Sequence, residues 1–349
     1  METSLQAEER SAGAKFAESD GCVLPETFAG FAEEYAAARE AVALFDTSWH
    51  AYFILTGPDR VRYLNAVVSN NVQALAEGAG TLALLLNPQG RILAELEIFR
   101  RPEDLLVRTH ASVRERTRET LEKYIIMDDV ELTDTTDTTA SLAIEGPRAA
   151  SIVQQACGLA IEELPALSIH DVRVEYIACQ LIVKSHFGSP GAEFIGRPDL
   201  LRALWTKMLA GVQAHEGQPI GMQALNALRL EAGIPWFPAD FNDTVIPHEA
   251  ALEETHISFS KGCYTGQEIV ERVRSRGQVN RRRVRLNFST AIPPEYATRL
   301  FADGKEIGLV ASAAFSPREN SAIGMGYVRR EHAAPGSVVD FEGGTAQVI

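Results

Sequence analysis

The chain has 349 residues, 46% of them hydrophobic and 23% charged, and a formal net charge of −14. That composition suits two or three compact units around a sizeable buried core, and the acidic balance opposes DNA, a general nucleic-acid coat and anionic membranes by long-range repulsion. No stretch approaches the roughly 20 apolar residues of a bilayer-spanning helix. The polar start has no apolar signal core, so the expectation is a cytoplasmic protein with a flexible lead over residues 1–24.

The predicted elements begin with Phe31, Tyr35, Ala38, Val42 and Phe45 at helical spacing, stopped by Asp46-Thr47-Ser48. A strand over 51–55 follows, then a turn at Gly57-Pro58-Asp59 and a helix with Val61, Tyr63, Leu64 and Val67 on its apolar side. Residues 81–86, 92–99 and 104–107 read as an antiparallel meander with Asn87-Pro88-Gln89-Gly90 as its first turn. A charged helix over 112–124 buries Val113, Thr117, Leu121 and Tyr124.

The polar, β-branched tract 133–139 reads as a solvated turn and a seam between lobes. Beyond it a similar order of elements returns without close sequence repetition: a strand at 141–144, a helix at 148–157 and strands near 172–176 and 180–184. After Gly277, helical patterns give way to short β-like runs at 283–288, 298–302, 307–314 and 322–328. These are the marks of a small terminal barrel or sandwich, and the class is α+β.

The four cysteines, Cys22, Cys157, Cys179 and Cys263, contain no CxxC pair. Scattered thiols of this kind encode neither a zinc ribbon nor a short disulfide framework, so no metal site is expected and a reducing compartment fits. Cys263 lies in the most distinctive peptide, Lys261-Gly262-Cys263-Tyr264-Thr265-Gly266-Gln267-Glu268. A lysine two residues before a thiol favours thiolate, and the glycines let a ligand come close to the backbone. The competing reading is a small buried cysteine between turn glycines. A single thiol attacks, exchanges or transiently ligates, but it does not enclose a metal. His248 and His256 have no partner at triad spacing and read as polar or core histidines.

Downstream, Arg272, Arg274, Arg276, Arg281, Arg282, Arg283 and Arg285 crowd into one stretch. Alternation in Glu271-Arg272-Val273-Arg274 predicts a strand with both arginines on one face. A solvated strand edge, an anionic ligand tail and an RNA backbone all fit such a run. Glu193 follows the glycine-rich turn at Gly188-Ser189-Pro190-Gly191. By itself it reads as an exposed loop glutamate, although a carboxylate there is equipped to accept two hydrogen bonds from an amino-pyrimidine edge.

Taken together, these segments resemble the folate-binding YgfZ-type family of iron–sulfur cluster assembly or repair factors, itself related to the T protein (aminomethyltransferase) of the glycine cleavage system. The signature KGCYTGQE at 261–268 and the basic run to Arg285 are the most specific match. Leu44-Phe45-Asp46 with Ser48, Thr56-Gly57-Pro58-Asp59, Glu145-Gly146-Pro147, the stretch LRLEAGIP at 228–235 and Pro247-His248-Glu249-Ala250 fall in the family order.

The resemblance implies a three-lobed, GcvT-like ring around a central folate channel, with residues 25–280 forming two α+β lobes and 281–349 a C-terminal β-barrel. It implies tetrahydrofolate, or a one-carbon derivative, as cofactor. Glu193 becomes the carboxylate that grips the pterin, with Arg229, Arg272, Arg274, Tyr264 and Gln267 as further folate contacts. Cys263 becomes a reactive or transiently ligating thiol tuned by Lys261, facing iron–sulfur client or assembly proteins. The T protein carries an acidic pair where this chain has Ala94-Glu95, and Ala94 does no acid–base work. An iron–sulfur accessory protein is therefore expected first, a folate-dependent aminomethyl or one-carbon transferase using Glu95 second, and an RNA-binding module third.

Overall fold

The computed structural model describes residues 3–277 and 279–349, without the side chain of Arg276. Met1 and Glu2, the tip of the expected frayed lead, lie outside the described residues. For the remainder of that lead the expectation is corrected. Gln6–Ser11 is a helix, and Lys15–Ser19 pairs with Cys22–Thr27 as a hairpin. Leu5 inserts into the same apolar cluster as Val42, Leu142 and Trp205, which anchors the segment. Glu9 goes in with it, fully buried. Burial, with Asp46 beside it, pushes the Glu9 carboxyl up to about 10.

The helix expected over 31–45 is shorter, Phe31–Glu40, and Ala43–Asp46 is a strand. All of Ala43–Asp46 is buried. That burial suits a central strand and would not suit one side of an amphipathic helix. The strand lies within a six-stranded sheet ordered Ile169–Val174, Ile177–Val183, Gly191–Gly196, Ala140–Glu145, Ala43–Asp46, Gln218–Pro219. Pairing within it is antiparallel, except that Gln218–Pro219 runs parallel to Ala43–Asp46.

A second sheet has five strands in the order Gly80–Leu86, Ile92–Arg100, Leu105–His110, His50–Thr56, Glu131–Asp134. The polar tract after it is the end of that last strand and a short 3-10 turn, Thr136–Thr138. The C-terminal residues close a six-stranded antiparallel barrel: Arg281–Phe288, Ser321–Arg329, Lys305–Ser316, Arg299–Ala302, Val338–Phe341, Gly344–Val348. Alternation in the first of these puts Val284, Leu286 and Phe288 into the barrel core.

By contact density the chain forms two compact units. One takes residues 1–65, 71–82 and 96–225, and the other 66–70, 83–95 and 226–349. The unit with the barrel is thus larger than the barrel itself, and it draws in the turn at Asn87–Gly90 and Glu95. Among the described residues no helix is long and apolar enough to cross a membrane.

Candidate functional site

Gly191–Gly196 lies between two neighbours in its sheet, and that central position buries Glu193 completely. Its Oε2 accepts from Arg108 Nη2 at 2.8 Å. Its Oε1 accepts from Arg108 Nη1 and, at 2.9 Å, from Thr47 Oγ1. Arg108 Nη2 and Nε also donate to Glu97 Oε2, at 2.8 and 3.1 Å. Lys184 Nζ completes the cluster, 2.6 Å from Glu97 Oε1.

Burial alone would raise the Glu193 and Glu97 carboxyls, but Arg108 beside both holds them well below the usual carboxylate range. Burial, reinforced by Arg108, brings His50 down to about 3 and keeps its imidazole neutral. The exposed loop glutamate is thereby overturned. A carboxylate has about four acceptor positions. On Glu193, Arg108 and Thr47 take those of Oε1, and Arg108 takes one of Oε2 with His186 Nε2 at 3.5 Å.

Arg229 is also committed inside the chain. It is buried on Met222–Ala232. Its Nη1 donates to Asp240 Oδ2 and to Ile234 O, the latter at 3.1 Å, and its Nε to Asn226 Oδ1 at 2.9 Å. The guanidinium also stacks 4.5 Å from the Trp236 ring centroid.

Glu95 lies on Ile92–Arg100, where Ile92, Ala94 and Leu96 are fully buried. Its side chain retains 24% exposure, and its Oε1 is 2.8 Å from His256 Nε2. His256 is buried, with Nδ1 2.7 Å from Thr255 Oγ1. The ordinary core histidine of the sequence reading thus touches a candidate acid–base group, 161 positions away in the chain. Nothing in their spacing announced it.

The Cys263 peptide packs on the Asn87–Gly90 turn. Gly266 has φ +82°, and a Cβ there would meet Asn87 O at 2.6 Å, so only glycine admits this approach. Cys263 is the exposed thiol of the four cysteines; Cys22 and Cys179 are buried, and Cys157 is half-buried. Lys261 Nζ donates to Val68 O and lies 4.9 Å from the Tyr264 ring centroid. Burial lowers this ammonium to about 8. Tyr264 is buried, and its hydroxyl has no partner among the described residues. Gln267 opens the helix Gln267–Arg276.

That helix corrects the strand expected at 271–274. Four alternating residues are compatible with either period, and Arg272 and Arg274 are exposed on a helix. Arg272 pairs with Glu268 at 2.6 Å, and Arg274 pairs with Glu271 at 3.5 Å while stacking 4.2 Å from the Phe259 centroid. Arg281 and Arg282 pair with Glu249 and Glu253, and Arg283 and Arg285 donate to Ala250 O and Glu231 O. The Arg276 side chain lies outside the described residues. Among the described residues no group of three or more His, Cys, Asp and Glu is placed to hold a metal ion.

With this geometry in hand, comparison with known proteins defines the class. Residues 5–261 match the GCVT N-terminal domain and residues 281–348 the glycine cleavage T-protein C-terminal barrel domain. The chain belongs to this T-protein family. It is 28% identical over 332 residues to an aminomethyltransferase of Geobacillus kaustophilus, covering 95% of this chain and 91% of that one. An aminomethyltransferase of Chlorobaculum tepidum is 28% identical over 348 residues, covering 97% and 93%. The fold is that of the glycine cleavage system aminomethyltransferase T of Bartonella henselae, whose crystal structure superposes with a TM-score of 0.90 at 25% identity over 100% of this chain and 96% of that one.

Proposed function

We propose that this chain binds tetrahydrofolate and transfers a one-carbon unit in the manner of the aminomethyltransferases it resembles, with Glu95 as its proton-accepting carboxylate. The observation that carries this reading is the alternation on Ile92–Arg100. The T protein that this chain resembles carries an acidic pair where this chain has Ala94-Glu95, and Ala94, in place of the missing acid, occupies a fully buried position. The partly open position holds a carboxylate, 24% exposed. Similarity along nearly the whole chain to proteins named aminomethyltransferase supports the same reading. The test mixes the chain with tetrahydrofolate and an aminomethylated lipoyl carrier protein. Methylenetetrahydrofolate release is expected, and Glu95→Gln should lower kcat by about 10²-fold or more. A chain that binds tetrahydrofolate without turnover removes the transferase reading.

A second reading is favoured by the exposure of Cys263 within KGCYTGQE. In it the chain is a YgfZ-type, tetrahydrofolate-binding accessory protein for iron–sulfur assembly or repair, with Cys263 meeting client or assembly proteins. The names of the relatives support the transferase reading more directly. In cells lacking the native gene, Cys263→Ala should then fail to restore iron–sulfur enzyme activities while Glu95→Gln succeeds. Full restoration by Cys263→Ala dismisses this reading.

A further inference from the structure

A guanidinium and the amino-pyrimidine edge of a pterin present the same donors: two parallel N–H bonds from neighbouring nitrogens of one carbon, matched to the two oxygens of a carboxylate. In this chain Arg108 supplies that pattern to Glu193, Nη1 donating to Oε1 and Nη2 to Oε2. Leu106 and Arg108 share a face of Leu105–His110, and Leu106 packs with Ile182 and Ile195 of the other sheet. The guanidinium is thereby carried into the space between the sheets, with Glu97 directly opposite it on Ile92–Arg100 and the Phe99 ring centroid 5.6 Å away. The second acceptor position of Glu193 Oε1 closes a run of hydroxyls. Tyr52 Oη donates to Ser141 Oγ at 2.7 Å, Ser141 Oγ lies 2.8 Å from Thr47 Oγ1, and the carboxylate, which only accepts, takes the Thr47 proton. Glu193, Arg108, Thr47 and Ser141 are all fully buried, and all belong to one compact unit.

We propose that Arg108 is a specificity-determining residue, a built-in stand-in for a cyclic guanidine: it fills the grip on Glu193 that the family resemblance assigns to the pterin, so that tetrahydrofolate is held by this chain without Glu193. A ligand edge reaching Glu193 would have to drive Arg108 off one of its two carboxylates inside a space with no solvent to receive it, which strongly opposes the exchange. Removing the arginine side chain opens the grip to any small molecule with the same fork, while a point-charge ammonium lacks the geometry. The transferase reading is not involved, because Glu95 takes no part in this cluster.

The test compares the full chain with Arg108→Ala, Glu193→Gln and the double variant. Thermal unfolding is followed with methylguanidinium at low millimolar concentration, with methylammonium as the control, and the Kd for tetrahydrofolate is measured by protein fluorescence. Methylguanidinium should raise the midpoint of Arg108→Ala and leave the unaltered chain and the double variant unmoved. Methylammonium should move none of them. Tetrahydrofolate should bind Glu193→Gln as tightly as the unaltered chain, whereas loss of a charge-assisted grip on the pterin would weaken it about 10- to 100-fold. A loss of that size overturns the proposal, and so does an Arg108→Ala midpoint that ignores methylguanidinium or answers both cations equally. If Arg108→Ala does not fold in buffer, its refolding decides: recovery with methylguanidinium alone supports the role, and recovery with neither or with both equally overturns it. If the unaltered chain binds no tetrahydrofolate, the proposed function fails, and the methylguanidinium response alone decides the role of Arg108.

Discussion

Arg108 and Glu193 meet as a two-pronged guanidinium–carboxylate pair with neither side chain exposed to solvent. Removing one partner leaves a buried charge uncompensated, at a cost of about 3–5 kcal/mol. Arg108→Leu should therefore lower the free energy of unfolding by that amount, read from the urea midpoint. A loss below about 1 kcal/mol, the range of a surface pair, would show that water reaches the cluster.

Acid should unfold the chain through the same residues. Glu193 and Glu97 are both held below the usual carboxylate range in the folded state. A group depressed in this way contributes stability that is present above its unfolded value, about 4.3, and lost as pH falls through its folded value. Unfolding midpoints measured from pH 6 down to pH 3 should drop, and Glu97→Gln should shallow the slope. A flat profile contradicts the argument.

Glu9 acts with the opposite sign. Its carboxyl is raised to about 10, so its contribution is fully present below about 4.3 and declines as pH rises toward the folded value. Glu9→Gln, uncharged at every pH, should stabilise the chain at pH 8 relative to the unaltered protein and change little at pH 4. Equal midpoints at pH 8 would show that Glu9 ionises without penalty.

Thiol labelling of the folded chain should give one fast equivalent, abolished by Cys263→Ser. Burial raises Cys22, Cys157 and Cys179 above the ordinary thiol range, which slows them as nucleophiles. Two fast equivalents would mean that one of these three opens readily.

The basic run should not retain RNA. Arg281, Arg282, Arg283 and Arg285 already hold carboxylates or carbonyls of their own chain, and the chain as a whole carries a formal net charge of −14. Filter binding at low salt is expected to be negative. Retention that disappears on substituting these arginines would restore the RNA-binding module.

The sequence showed most of the meander and the barrel, because alternation there is regular: Ile92, Ala94 and Leu96 are buried, as are Val284, Leu286 and Phe288. It misread 271–274, where four residues cannot distinguish two periods, and 41–45, where a fully buried strand continued a helical pattern. The site was less legible. Glu193 and Arg108 lie 85 positions apart and Glu95 and His256 161. Such pairs are made by sheet order and packing and leave no local spacing to find.

The unit that contains the barrel is assembled from three separate stretches of chain, 66–70, 83–95 and 226–349. A fragment beginning at 226 would carry His256 and Cys263 but neither Ser69, which fixes the His256 carbonyl, nor the Asn87 turn on which Gly266 rests. During synthesis the two early stretches must wait for more than a hundred later residues before their partners exist. Attempts to study the barrel end by cutting the gene at a single point should therefore yield an insoluble or incomplete product, whereas a design that carries both 66–70 and 83–95 along should not.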